Sequence, residues 1–278
     1  MPHDGREGTS PRHALESTAE EAVERLRIVT RGYEVSARGY IGAAQLLRYF
    51  EHMRWRVIWQ SSRVPARDFM SVGVIRAQRL EVFEATGFDV EVELSIWLSR
   101  VGKTSLDFSH EMVRASDGVR LARSTATLVT LDGDRRPAEV HPAARQYVSS
   151  RDAARVERLD GPVPDSAFEH PVVIRPSDED LQGHVNHARY ADYVEDARFV
   201  CAAKGGYGNG SFDGPPRSMT LSYEDEARTG DPLRARTWLS TRAPGAIDFA
   251  LVRGDGRVTT RARVGFDEPG AERKDEAR

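Results

Sequence analysis

The sequence predicts an α+β protein made of two copies of one unit, each an antiparallel sheet wrapped around one long helix. The first observation is an internal repeat. Sliding the chain against itself by 144 positions aligns, without a gap, "RGYEVSARGYIGAAQLLRYFEHMR" from Arg31 with "RPSDEDLQGHVNHARYADYVEDAR" from Arg175. The second is that each copy continues with runs of β-branched and aromatic residues separated by turn signals such as "SDG" and "GDG".

The repeat persists downstream, with its register shifted by three positions. "WLSRVGKTSLDF" from Trp97 lies opposite "WLSTRAPGAIDF" from Trp238, and Trp, Leu, Ser, Asp and Phe recur in the same order. A single irregular domain with a fortuitous echo would not keep one order over such a length. Two copies of one unit therefore explain the pattern better.

The extent of the repeats defines the expected domains. We predict repeat 1 over residues 25–133 and repeat 2 over residues 168–267, joined by a polar connector over 134–167. The chain ends, 1–24 and 268–278, are polar and interrupted by proline and glycine. Such composition cannot bury enough apolar surface to order a segment, so we predict disordered tails.

Each repeat begins with an apolar strand, "RLRIVT" or "HPVVIR", that leads through a turn into a helix of about five turns. Apolar residues at i, i+3, i+4 and i+7 spacing identify the helices: Leu46, Leu47, Phe50, Met53, Val57 and Ile58 in the first copy and Tyr190, Tyr193, Val194, Ala197 and Cys201 in the second. Strand-like runs follow each helix. A lone helix must bury its apolar stripe, so we expect the meander to curl around it.

Composition excludes several classes of function. The formal net charge is only −3, which gives no field that would attract nucleic acid or an anionic membrane. The single cysteine, Cys201, cannot form an internal disulfide, and this favours a reducing compartment. No apolar run approaches the roughly 18 residues of a membrane span, and no signal-peptide pattern opens the chain. These features predict a cytoplasmic protein that binds neither nucleic acid nor membrane.

Metal and nucleotide sites are also not indicated. His110, His141 and His170 have no partners at metal-ligand spacing, so we predict no metal site. The sequence contains no glycine-rich phosphate loop, no GxSxG elbow and no dinucleotide fingerprint.

The polar residues that precede the second helix form the most specific motif. In "DEDLQGHVNHARY" they follow the pattern D-x-D-x-x-G-H-x-N-x-x-x-Y, which Asp178, Asp180, Gly183, His184, Asn186 and Tyr190 occupy. At the equivalent positions repeat 1 has Ser36 for Asp180, Tyr40 for His184 and Gly42 for Asn186. The acid and the imidazole are therefore present in one copy only.

This motif at the entrance to a helix resembles the hotdog-fold thioesterases, above all the acyl-ACP thioesterases and the 4-hydroxybenzoyl-CoA thioesterase group. The resemblance covers nearly the whole chain. It implies a tandem (double) hotdog in which the repeats pack sheet edge to sheet edge, with the site in the second repeat only. It also implies an acyl carrier protein or CoA thioester as partner, an acyl chain lying between the units, and no cofactor. Whether two such chains pair as a homodimer stays open.

Two details leave the subfamily open. Acyl-ACP thioesterases carry D-x-N-x-H followed a strand later by a glutamate, and the matching residues here are Asp180, Gln182, His184 and, in "MTLSYEDE", Glu226. Glutamine replaces the family's asparagine at Gln182. Gly183 before the histidine is closer to the 4-hydroxybenzoyl-CoA group.

Thioester hydrolysis needs an attacking oxygen, a proton acceptor and donors for the developing oxyanion. Asp180 could act as base on a water or attack as a nucleophile. His184 suits proton transfer to the departing thiol, and Gln182 and Glu226 could orient the water or His184. Strict strand alternation would turn Glu226 away from the core, so we expect a bulge there.

The start of the second helix supplies the expected oxyanion site. We predict Asn186 as the helix N-cap, with Gly183, Val185 and Asn186 presenting backbone N–H groups to the substrate carbonyl. Asp178 and Asn186 are also common capping residues on structural grounds alone. We further expect His187 to be a solvated side chain.

The predicted function is thioester hydrolysis that releases a carboxylic acid, typically a fatty acid, from acyl-ACP or acyl-CoA. A non-catalytic acyl-thioester binder or sensor is the alternative, and a hotdog hydratase or dehydratase is a third. Glu195 repeats as Glu51 in the copy without the motif, so we interpret both as structural, paired with Arg198 and Arg54 three residues on.

Overall fold

A computed structural model describes residues 23–60, 72–154, 156–208, 212 and 214–266. Of the predicted disordered tails, residues 1–22 and 268–278 lie outside these ranges. Val23 is buried and Glu24 begins the first strand, so the first ordered element starts slightly earlier than predicted.

The same order of elements occurs twice. The first set is β1 (Glu24–Val29), α1 (Ala43–Gln60), β2 (Val72–Val82), β3 (Glu91–Val101), β4 (Ser105–Arg114) and β5 (Arg120–Leu131). The second is β6 (Phe168–Val172), α2 (Arg189–Ala203), β7 (Ser218–Tyr223), β8 (Leu233–Leu239), β9 (Ala246–Arg253) and β10 (Val258–Gly265). The α+β class and the helix-then-meander order predicted from the sequence are confirmed.

Strand β2 is absent from the sequence-based prediction. Its run "VGVIRAQRLEV" mixes Arg76, Gln78 and Arg79 with apolar residues, and its pairing with β5 shifts register between Ile75 and Ala77. Gln78 is fully buried and donates to the Ser124 hydroxyl at 3.3 Å, which satisfies a polar group inside the sheet. Alternation of apolar and polar residues therefore fails as a signal here.

The strands form one continuous antiparallel sheet in the order β1-β3-β4-β5-β2-β7-β10-β9-β8-β6. Each half of this order mirrors the other, so an approximate twofold axis relates the repeats. The halves join where β2 pairs with β7, from Ala77 opposite Ser222 to Glu81 opposite Ser218. The predicted edge-to-edge packing is thus present.

The two helices lie against each other and against the sheet. Their predicted apolar stripes face the core: Phe50 and Met53 of α1 and Val194 and Cys201 of α2 are all almost fully buried. At their crossing, Arg48 donates to Asp192. These two residues are equivalent in the repeats, so this contact marks the approximate twofold axis.

The β2–β7 junction is expected to make both repeats unfold together. Leu80 lies opposite Met219 there, and both are fully buried. Replacing Leu80 with alanine should lower the free energy of unfolding by about 2–4 kcal/mol within a single transition followed by denaturant titration. Leu239→Ala, at a half-exposed position, should cost less than about 0.5 kcal/mol. Two separate unfolding transitions would contradict the prediction that the repeats unfold together.

Candidate active site

The segment that carries the motif starts with a structural clamp at Asp178. Its Oδ2 accepts hydrogen bonds from the backbone N–H of Arg175 at 2.9 Å and from the Tyr193 hydroxyl at 2.8 Å. In repeat 1, Glu34 accepts from Arg31 and Tyr49 in the same way. Because both repeats contain this arrangement, Asp178 has the structural role that the sequence analysis offered for it.

A tight turn then brings Asp180 and His184 together. The Asp180 N–H donates to the His184 carbonyl and the Gly183 N–H to the Asp180 carbonyl, both at 3.0 Å. Gly183 has φ of +74°, a conformation that favours glycine. Asp180 Oδ1 accepts the Gln182 N–H at 2.8 Å and lies 3.9 Å from His184 Nδ1.

Repeat 1 contains the same turn without its chemical groups. The Ser36 N–H donates to the Tyr40 carbonyl and the Gly39 N–H to the Ser36 carbonyl, both at 2.9 Å. Gly39 has φ of +82°. The turn therefore forms without an acid or an imidazole, and Asp180 and His184 are not needed for its geometry.

His184 lies between two carboxylates. Its Nε2 is 3.9 Å from Glu226 Oε1, and this buried nitrogen has no hydrogen-bond partner among the described residues. Separations of 3.9 Å are too long for hydrogen bonds but are within ion-pair distance of an imidazole that carries a proton. Side-chain exposure is 13% for His184 and 15% for Asp180, so the interaction is partly shielded from water.

Glu226 reaches the site from a loop. Strand β7 ends at Tyr223, and the N–H groups of Glu224 and Asp225 both donate to the Thr259 carbonyl, so strict strand alternation does not extend to Glu226. Arg135, from the segment that follows β5, donates to Glu226, and Arg228 lies 3.5 Å from it. Two cations thus hold this carboxylate beside His184.

The predicted helix cap is wrong. Helix α2 begins at Arg189 with Ala188 as its N-cap, two residues after Asn186. The chain forms an Asx-type turn at this point, in which Asn186 Oδ1 accepts the Ala188 N–H at 2.8 Å just before the first helical residue. The Asn186 Nδ2 instead donates to Glu51 Oε1 of α1 at 2.6 Å.

The backbone groups expected to bind an oxyanion are engaged inside the fold. The Val185 N–H donates to the Ala227 carbonyl and the Asn186 N–H to the Asp178 carbonyl, both at 2.8 Å, and the Gly183 N–H closes the turn described above. These bonds secure the motif segment to the loop after β7 and to its own start. None of the three N–H groups points to a substrate in this arrangement.

A cavity of about 910 Å³ opens between the repeats at the motif. Its polar lining includes Glu51, Arg54, Asp180, Gln182, His184, His187 and Glu226. Its apolar lining comes mainly from repeat 1 and includes Trp55, Ile58, Trp59, Val74, Ile75, Leu128, Val129 and Leu131. A cavity of this size, with apolar walls beside a group of polar side chains, is typical of a small-molecule site.

Sequence analysis missed a buried polar cluster in this cavity. His187, expected to be solvated, has a side chain only 17% exposed. Arg54 Nη2 donates to His187 Nε2 at 2.5 Å, and Nδ1 lies 3.7 Å from Glu51 Oε1. Burial, together with the charge of Arg54, lowers the pKa of His187 to about 4. No sequence signal identifies the cluster, because its members come from both repeats.

Comparison with solved structures identifies the fold. A 12:0-ACP thioesterase from Umbellularia californica superposes with a TM-score of 0.73 at 19% identity, covering 88% of this chain and 97% of the other. An acyl-ACP thioesterase from Bacteroides thetaiotaomicron gives 0.73 at 14% identity, covering 90% and 100%. The chain has the tandem hotdog fold. Searches with family models and against curated proteins give no match.

None of the helices in the described residues is both long and apolar enough to cross a membrane. Within the same ranges, no group of three or more His, Cys, Asp or Glu side chains could hold a metal ion.

His187 should make stability sensitive to acid. Its folded-state pKa of about 4 lies below the ordinary value of 6.5, so the unfolded chain binds this proton more tightly. Stability from this residue is therefore fully present above pH 6.5 and is lost as the pH falls toward 4. Between pH 7 and 4 the wild type should lose about 3 kcal/mol more free energy of unfolding than His187→Gln. The measurement is the free energy of unfolding of both proteins from urea titrations at each pH. Equal losses in the wild type and in His187→Gln would refute the prediction.

Proposed function

We propose that the chain is a thioester hydrolase that releases a carboxylic acid from acyl-ACP or acyl-CoA. The observation that carries the proposal is the convergence of Asp180, His184 and Glu226 in one largely apolar cavity. The matching turn of repeat 1 has neither the acid nor the imidazole. Structure alone does not require these groups, so chemistry is the better explanation for them.

In the proposed reaction, Asp180 either takes a proton from a water that attacks the carbonyl carbon or attacks that carbon itself as a carboxylate. The C–S bond then breaks and the sulfur leaves with the electron pair. When Asp180 is the nucleophile, water then cleaves the acyl anhydride, which releases the acid and restores the Asp180 carboxylate. His184 gives the sulfur a proton. Asp180 and Glu226, each 3.9 Å from the imidazole, stabilise the protonated form of His184 before this transfer. The Gln182 N–H orients Asp180 through its 2.8 Å hydrogen bond.

The lining of the cavity favours a fatty acyl group. Trp55, Ile58 and Trp59 on α1, with Leu128 and Leu131 on β5, offer apolar surface to the chain. Both structural neighbours named above are described as ACP thioesterases, which favours acyl-ACP over acyl-CoA. A cytoplasmic role in fatty acid metabolism would follow, and hydrolysis by these residues needs no cofactor.

The proposal is tested by thiol release from a panel of acyl-ACP and acyl-CoA thioesters. Asp180→Asn and His184→Gln should each lower kcat by about 10²–10⁴-fold, because each removes a group that transfers a proton or attacks the carbonyl. Ser36→Ala and Tyr40→Phe, the matched changes in repeat 1, should leave kcat within about threefold.

Three results would count against hydrolysis by this site. Wild-type protein that releases thiol from none of the substrates would exclude the activity. Binding of the thioesters without release would favour the acyl-thioester binder or sensor. Full rates in Asp180→Asn and His184→Gln would remove these residues from the mechanism.

A further inference from the structure

Glu51 extends from helix α1 of the motif-free repeat into the cavity of the other repeat. Its Oε1 accepts hydrogen bonds from Asn186 Nδ2 at 2.6 Å and Trp55 Nε1 at 3.3 Å, and His187 Nδ1 lies 3.7 Å from the same oxygen. In the part of the chain that the structure describes, nothing donates to Oε2. The side chain is 13% exposed and lines the cavity, so this oxygen is open toward a bound molecule.

The equivalent residue in repeat 2, Glu195, has a different role. Its two oxygens accept the backbone N–H groups of Ala43 at 3.2 Å and Ala44 at 3.1 Å, at the start of α1. Arg198 is 3.8 Å from it, so the pairing expected from the sequence is secondary to capping. Both oxygens of Glu195 are occupied by the fold.

One substitution between the repeats accounts for this difference. Glu195 fits against α1 because Gly42 precedes that helix, where a β-carbon would lie 3.0 Å from both carboxylate oxygens. The equivalent residue before α2 is Asn186, whose own Oδ1 accepts the Ala188 N–H. Asn186 therefore accepts a backbone N–H near the start of α2, as Glu195 does at the start of α1. Glu51 does not cap α2. It accepts a hydrogen bond from the Asn186 amide through Oε1, and its Oε2 is left without a donor among the described residues.

The electrostatic surroundings of the two glutamates also differ. Burial raises the pKa of Glu195 above its usual value. Burial would raise the pKa of Glu51 as well, but His187, Asn186 and Arg54 outweigh it and hold that pKa below its usual value. The Asn186 amide and the charge of Arg54 favour the ionised form of Glu51, which is held in place by one oxygen.

We propose that Glu51 is a further catalytic residue, the general base that activates water at this site. The inference rests on the proposed thioester hydrolysis, and it gives the proton of the attacking water to Glu51 instead of Asp180. Oε2 takes a proton from water as the water oxygen bonds to the acyl carbon. The C–S bond breaks, the thiolate takes a proton from His184, and both side chains recover their starting states by exchange with solvent. If Asp180 first forms an acyl anhydride, the same water cleaves it and restores the Asp180 carboxylate.

The test compares Glu51→Gln with its counterpart Glu195→Gln in the thiol-release assay. Glutamine can still accept from Asn186 and Trp55 but cannot take a proton. Glu51→Gln should lower kcat at least 100-fold with KM within about threefold, and its thermal midpoint should fall because buried Arg54 loses a nearby negative charge. Glu195→Gln should keep kcat within about threefold and lower the thermal midpoint, because it weakens the cap of α1.

A second measurement separates catalysis from positioning. Glu51→Ala assayed with added formate should regain at least tenfold in kcat, since a small carboxylate can occupy the vacated space and accept the proton. Glu195→Ala should not respond to formate. Loss of activity in Glu51→Gln without formate rescue of Glu51→Ala would mean that Glu51 only positions Asn186, which overturns the catalytic role.

The inference and the proposed function can fail separately. If wild type releases thiol and Glu51→Gln does so within threefold of its rate, Glu51 is not the base, whereas thioester hydrolysis stands. If wild type releases thiol from no substrate, both fail.

Discussion

The packing of α1 against α2 about an approximate twofold axis is the constraint on which the rest of the molecule depends. Arg48 and Asp192 occupy equivalent positions and meet at the crossing. Each helix therefore directs the glutamate one turn further on toward the start of the other helix: Glu195 reaches Ala43 and Ala44, and Glu51 reaches Asn186. Because the helices cross in this way, any site at a helix start is built from both repeats.

Duplication within one chain lets the two helix starts diverge while the packing is kept. Two identical subunits would place the same residue on both sides of the axis, whereas this chain has Arg48 facing Asp192, an attractive pair instead of a repulsive one. At the helix starts, Gly42 admits a capping carboxylate and Asn186 excludes it. At the start of α1, Glu195 therefore caps the helix. At the start of α2, Glu51 lines a polar cavity, with one carboxylate oxygen free of donors in the described part of the chain.

Local features could be predicted from the sequence, and features that depend on contacts between repeats could not. The turn that joins Asp180 to His184 is closed by bonds within five residues and by the positive φ of Gly183, so the proximity of the two side chains follows from spacing. The position of Asn186, the burial of His187 and the orientation of Glu51 depend on partners across the axis. Strand β2 escaped prediction because its buried Gln78 finds a partner only in the folded sheet.

The central claim is that the chain holds one composite site, with the chemical groups of repeat 2 and an apolar lining from repeat 1. Isothermal titration calorimetry with an acyl thioether analogue, in which a CH₂ replaces the thioester carbonyl so that it cannot be hydrolysed, tests this directly. One molecule should bind per chain, and Trp55→Ala in repeat 1 should weaken its binding. Two molecules bound per chain with equal affinity, or binding indifferent to Trp55, would contradict it.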